Sequence, residues 1–280
     1  MPAATQRAPR RQWRASRDDV PGADLSFVRL DLADLDQVRE AAAAVRAGPR
    51  IDVLVNNAGV MIPPRSLTAQ GFELQFGVNH LGTFAFTGLI HGHVDDRIVV
   101  TASLAHKSGT IDFSDLDARR GYHGWSRYQA SKLANLSYMF ELDRRLARGA
   151  GDAGDRRASG VALTELTRHL PWPLRSMTPL ATPFFNSAAQ GAWPTLQAAT
   201  GAHVQGGDYL GPQGLGEISG ASGPARATKA ARDPKLGANC GSVRSTSPGS
   251  IREFEPEWHL VGRQIEKNSP LSPDGHTTSG

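Results

Sequence analysis

The sequence predicts an α/β protein built on a parallel, doubly wound sheet. Compact apolar runs suited to buried parallel strands occur at residues 51–55 (Ile-Asp-Val-Leu-Val) and 97–103 (Arg-Ile-Val-Val-Thr-Ala-Ser). Segments with helical periodicity separate them, and this alternation continues for more than a hundred residues. Polar residues gather where strands would end: Asp31 after residues 25–30, the Asn56-Asn57-Ala58-Gly59 turn after 51–55, and Ser103. In open α/β sheets the ligand binds outside those carboxyl ends.

Taken in order, residues 1–22 form a basic arm predicted to be poorly ordered. Pro2, Pro9 and Pro21 punctuate it, and Arg7, Arg10, Arg11, Arg14 and Arg17 all precede the first acidic residue, Asp18. Residues 25–30 have a strand's composition. Asp34 caps a helix over 35–47 that carries Leu35, Val38, Ala42 and Val45 on one face, and Gly48-Pro49 ends it. After the strand at 51–55, a helix is predicted over 68–89, holding Phe72, Phe76, Asn79, Phe84 and Phe86. The strand at 97–103 is followed by a loop with Asp112, Asp115 and Asp117. A helix then runs through Tyr128, Leu133, Leu136, Phe140 and Leu146. Residues 148–160 show no apolar strand, whereas 187–199 read as a helix. Beyond residue 235 Gly, Ser, Pro and Thr dominate. The predicted organisation is an arm over 1–22, one domain over 23–235 and a disordered tail over 236–280.

Composition narrows the function classes. The 280-residue chain carries a formal charge of +4, concentrated in the arm and not spread over a domain, so no nucleic-acid partner is expected. A single cysteine, Cys240, excludes an intramolecular disulfide and a cysteine-cluster metal site. His91 and His93 flank a glycine without a third ligand nearby, so no metal is expected. No apolar run approaches the roughly 18 residues that span a bilayer, and the protein reads as soluble and cytoplasmic.

Tyr128 and Lys132 lie one helical turn apart, where residues are neighbours. An ammonium beside a phenol favours the phenolate and draws its pKa toward values useful in proton transfer. Each candidate has a plainer reading. The Tyr/Lys spacing arises by chance, the Asn-Asn-Ala-Gly turn can be a helix-initiating bend, Ser103 a strand-end hydroxyl, Asn79 a solvent-facing amide, and Asp31 a turn residue. Their occurrence in this order favours a site.

Residues 25–147 resemble the short-chain dehydrogenase/reductase family, and within it the retinol-dehydrogenase-like branch. Leu30-Asp31-Leu32 resembles the family's adenine-contacting strand end, and Asn56-Asn57-Ala58-Gly59 its cofactor-flanking turn. Val78-Asn79-His80-Leu81-Gly82 resembles the active-site asparagine segment, Ser103-Leu104-Ala105-His106 the serine segment, and Tyr128 to Lys132 the Tyr-x-x-x-Lys pair. The resemblance implies a Rossmann-like fold and an NAD(P)-dependent oxidoreductase acting on a small-molecule alcohol or carbonyl substrate. It implies that Tyr128 is the acid/base, that Lys132 lowers its pKa and holds the nicotinamide ribose, that Ser103 orients the substrate oxygen, and that Asn79 holds a water linking Lys132 to solvent. Asp31, Leu32, Asn57, Ala58 and Gly59 are implied to line the cofactor site. Thr164 is implied to touch the nicotinamide carboxamide, with a helix N-cap as the other reading of equal weight. The cofactor is NADP or NAD, with Arg7 inclining the choice to NADP, and a homo-oligomer is compatible. The family opens on a strand and a Gly-rich phosphate-binding turn that this sequence lacks, so the sheet is expected to be truncated at its N-terminus. The alternative function is an inactive remnant with impaired cofactor binding.

Overall fold

A computed structural model describes residues 20–149, 161–163 and 187–241. The chain divides into two units, Met1–Leu30 and Asp31–Gly280. Of the first unit, residues 20–30 are described: a turn closed by the Ala23 amide on the Val20 carbonyl (3.2 Å), then extended chain. The strand expected at 25–30 is not one of the sheet's strands, and Phe27, Val28 and Leu30 are exposed. A β composition yields a strand only where a neighbouring strand exchanges ladder hydrogen bonds with it.

The second unit holds the sheet. Helix α1 (Leu35–Arg46) starts as expected at Asp34, whose side chain accepts from the Asp36 amide at 3.0 Å, and it buries Leu35, Val38, Ala41 and Ala42. Strand β1 (Ile51–Asn56) pairs in parallel with β2 (Val94–Ala102), Asn56 opposite Val100. The segment between them is not the continuous helix that periodicity predicts. It begins at a bridge between Leu67 and Glu73, makes one helical turn at Leu74–Phe76, widens into a π-helix over Gly77–Gly82, and becomes α2 (Thr83–Ile90). Glu73 sets the start: its carboxylate accepts from the amides of Gln75 and Phe76, each at 3.0 Å, so a helix cannot be continuous through it.

At Gly82 the π-helix passes close to Leu32, where an added Cβ would lie 2.3 Å from the Leu32 carbonyl oxygen. Gly82→Ala is expected to cost about 1–3 kcal/mol, because the obstacle is backbone and cannot rotate away. Urea denaturation measures this, with Gly92→Ala as control, since nothing lies within 4 Å of a Cβ at Gly92.

After β2 come a 3₁₀ helix (Leu104–Ser108) and the long α3 (Gly124–Gly149). Strand β3 (Val161–Leu163) enters between β2 and β4 (Tyr209–Pro212), parallel to both, and β5 (Ser222–Pro224) runs antiparallel beyond them. The described sheet is thus β1-β2-β3-β4-β5. Strand β3 leaves no strand signal in the sequence because three residues carry no period. Helix α4 (Ala188–Thr200) begins at a capping box between Ser187 and Gln190, one residue inside the expected 187–199.

Alternation along β2 shows helices on both faces. Val94, Ile98, Val100 and Ala102 pack with α3 residues such as Leu133 and Leu136, whereas Val99 packs against Ala198 of α4. Helix α5 (Pro234–Cys240) crosses the boundary expected at residue 235: Gly237 and Cys240 are buried, and Arg232 lies 4.3 Å over the Phe140 ring. His91 and His93 hydrogen-bond the carbonyls of Gly88 (2.8 Å) and Pro49 (2.9 Å), and the described residues hold no cluster able to bind a metal. No described helix is long and apolar enough to cross a membrane.

Candidate active site

Tyr128 and Lys132 share one face of α3 and are buried beside the end of β2. The Lys132 ammonium sits 5.7 Å from the centre of the Tyr128 ring and donates to the Thr101 carbonyl at 3.1 Å. Burial draws its pKa down to about 8. The Tyr128 phenol moves the other way from the sequence expectation. Burial pushes its pKa up, and a hydrogen bond with the Ser103 hydroxyl pulls it down. The ammonium is turned to the ring face and to Thr101, so desolvation prevails over the neighbouring charge. Trp125 stacks on the Tyr128 ring with centroids 5.8 Å apart.

Ser103 follows β2 in extended backbone and caps the 3₁₀ helix, its Oγ accepting from the Ala105 amide at 3.2 Å. That bond occupies a lone pair and leaves the hydroxyl proton to point at Tyr128. Asn79 sits in the π-helix, a form that recurs at functional sites. Its Oδ1 accepts from the Val60 amide (2.7 Å), and its Nδ2 donates to the Val60 carbonyl (2.9 Å) and to Ser131 Oγ (3.0 Å). Ser131 in turn donates to the Tyr128 carbonyl at 2.8 Å. The amide therefore clamps the turn after Gly59 to the Tyr128 helix. A Cβ on Gly59 would lie 2.9 Å from Asn79 Oδ1 and 4.0 Å from Lys132 Nζ.

Of the remaining sequence candidates, Asn57 accepts from the Thr101 hydroxyl at 3.4 Å, and Ala58 lies between it and Gly59 on the same turn. Asp31 accepts from the Ala33 amide at 2.9 Å and is otherwise exposed, while Leu32 abuts the π-helix at Gly82. Thr164 and Arg7 lie outside the described residues. The structure thus brings Gly59, Asn79, Ser103, Tyr128 and Lys132 together and places Asp31 and Leu32 at the start of α1.

Other participants were not named from the sequence. Thr101 contributes a backbone carbonyl, which no side-chain motif can reveal. Asn135 points Nδ2 at the same carbonyl (3.5 Å), and its Oδ1 meets His80 Nδ1 at 3.3 Å. His80 Nε2 faces the Cys240 carbonyl at 3.0 Å, and burial draws the ring's pKa down to about 4. Asn135 had a legible signal, being one turn beyond Ser131 and Lys132 on the same face.

The sequence that carries this phenol, hydroxyl and ammonium is matched over residues 3–150 by a family model, that of short chain dehydrogenase. The chain belongs to this family. Its relatives fall in the retinol-dehydrogenase-like branch: human Retinol dehydrogenase 14 is 37% identical over 219 residues, covering 72% of this chain and 65% of that protein. Mouse Polyprenol dehydrogenase is 39% identical over 197 residues, covering 66% of this chain and 59% of that protein. The chain therefore spans about three fifths of the length of these curated relatives. A crystal structure of a Mycobacterium paratuberculosis protein superposes with a TM-score of 0.66 at 32% identity, covering 92% of this chain and 81% of that one. The Rossmann-like α/β fold of the short-chain dehydrogenase family is thereby established for this chain.

Proposed function

We propose that the protein is a nicotinamide-dependent oxidoreductase that interconverts an alcohol with an aldehyde or ketone, Tyr128 exchanging the proton on the substrate oxygen. The observation that carries this reading is the buried Tyr128 phenol, hydrogen-bonded to Ser103 and backed by the Lys132 ammonium where β1 and β2 end.

The residues present fit the nicotinamide ribose. Lys132 has one described hydrogen bond for its three donors, and Gly59 offers bare backbone beside it, in a space that a Cβ would fill. Lys132 would hold the ribose hydroxyls, Asn57 and Ala58 would flank them, and Thr164 is assigned to the carboxamide. Asp31 and Leu32 are assigned to the adenine end. The bound nicotinamide supplies or accepts the hydride. The chain itself handles the proton: Ser103 orients the substrate oxygen and Tyr128 donates to it or accepts from it. Asn79 fixes the turn that carries Gly59 and would hold a water that links Lys132 to solvent. The relatives named as retinol and polyprenol dehydrogenases support an apolar alcohol or its aldehyde as substrate.

Fluorescence titration with NADPH and NADH, followed by cofactor absorbance in the presence of retinal, tests the reading. Saturable binding and retinal-dependent consumption of one cofactor are expected. Absence of saturable binding by folded protein overturns it and favours an inactive remnant.

A further inference from the structure

We propose that His106 is a positioning residue of the site, its ring holding the Ser103 carbonyl so that the Ser103 hydroxyl stays aimed at Tyr128. This rests on the assignment of Ser103 and Tyr128 above and names a residue outside that set.

The Ser103 carbonyl receives two bonds from one residue. The His106 backbone amide donates to it at 3.1 Å, and the ring Nδ1 approaches it at 2.7 Å. A carbonyl oxygen only accepts, so Nδ1 carries the proton and Nε2 is left as an acceptor. Nε2 is buried and has no hydrogen-bond partner among the described residues, and the residue is 1% exposed. A ring kept for packing alone would be better served by phenylalanine, since a buried unpaired acceptor costs about 1–3 kcal/mol. The bond from Nδ1 is what an imidazole adds.

The surroundings keep the ring neutral and still. Tyr209 of β4 stands edge-on to it with centroids 5.6 Å apart. Lys107 and Glu217, the charges nearest the ring, are paired with each other at 2.6 Å. Burial draws the imidazole's pKa down, so at neutral pH it carries one proton, on Nδ1. Rotation of the ring would release the Ser103 peptide and with it the direction of the hydroxyl. Around Tyr128 the facing groups are Ser103, the Lys132 ammonium and the Trp125 ring.

The test uses two replacements that differ in where they can donate. In His106→Asn the amide nitrogen can take the place of Nδ1, whereas in His106→Gln the amide lies where Nε2 was. Two quantities are read in the full chain: kcat with a saturating aldehyde, and the titration of Tyr128 followed by NMR of ¹³Cζ-tyrosine, assigned with Tyr128→Phe. His106→Gln is expected to lower kcat about tenfold with KM little changed, the size of one lost hydrogen bond. It should also move the Tyr128 titration upward, as Ser103→Ala is expected to, and His106→Asn should restore both. Equal values for His106→Gln and His106→Asn, or a Tyr128 titration that follows Ser103→Ala but ignores His106→Gln, overturn the proposal. Should the unmodified protein bind cofactor without turning over, the oxidoreductase reading fails while the titration still decides the role of His106.

Discussion

Turnover by a Tyr128→Phe variant is expected to fall by about 10²- to 10⁴-fold, the usual contribution of a positioned acid/base. The substitution deletes one hydroxyl and keeps the ring, so stacking on Trp125 and the packing of α3 persist. Cofactor affinity measured by titration should change little, which separates a lost proton donor from a damaged fold. The direction of reaction matters as well. Burial holds the phenol protonated at neutral pH, the state needed to donate to a carbonyl oxygen being reduced. Carbonyl reduction is therefore expected to be flat through neutral pH and to fall in alkali, whereas alcohol oxidation, which needs the phenolate, should climb as pH rises. Identical pH profiles in the two directions would remove Tyr128 from the proton-transfer role.

Lys132→Met is expected to act in opposite senses on turnover and stability. Losing the ammonium should lower kcat by about 10²- to 10³-fold, comparable with the loss of one preorganised electrostatic contact. Stability should rise. The folded-state pKa of Lys132 lies at about 8 against an ordinary 10.5, so burial disfavours the charged form, a cost of a few kcal/mol at neutral pH. Loss of the bond to the Thr101 carbonyl offsets about 1 kcal/mol of that gain. The sign fixes the pH window: the cost is fully present below about pH 8 and disappears as pH rises through 10.5. Thermal unfolding should show the methionine variant more stable at pH 7, with the difference shrinking above pH 8. A variant less stable than the unmodified protein at pH 7 sinks this account and makes Lys132 a structural residue.

Much of the fold was legible because its local signals and its packing agree. Asp34 announced α1, the apolar run at 51–55 announced β1, and the strand from 97 delivered Ser103 to its end. The Tyr128 and Lys132 face was legible from helical spacing alone. Three features were not. Residues 25–30 have the right composition, yet strand formation depends on a partner that composition does not specify. Residues 77–82 have no side-chain pattern that separates a π-turn from an α-turn, so Asn79 was placed on an ordinary helix. The pKa direction of Tyr128 depends on which way the Lys132 ammonium turns, a matter of a few ångströms that spacing leaves open. The Thr101 carbonyl and the imidazole of His106 were hidden for a related reason, since backbone acceptors leave no mark on a sequence.

The π-helix over Gly77–Gly82 also fixes a phase relation. A wide turn is an α-helix with a residue to spare, and each residue advances an α-helix by about 100°. Phe76 on one side and Phe84 on the other both reach the main apolar cluster because the wide turn takes up the spare residue without passing its advance on to the flanking helix. Tightening residues 77–82 into an α-helix with every residue kept would add that advance and turn one flank about 100° against the other. Either Phe72 and Phe76 or Phe84 and Phe86 would leave the interior, and Asn79 would swing away from Val60 and Ser131. The wide turn is thus as strict a requirement of this stretch as the identity of its asparagine.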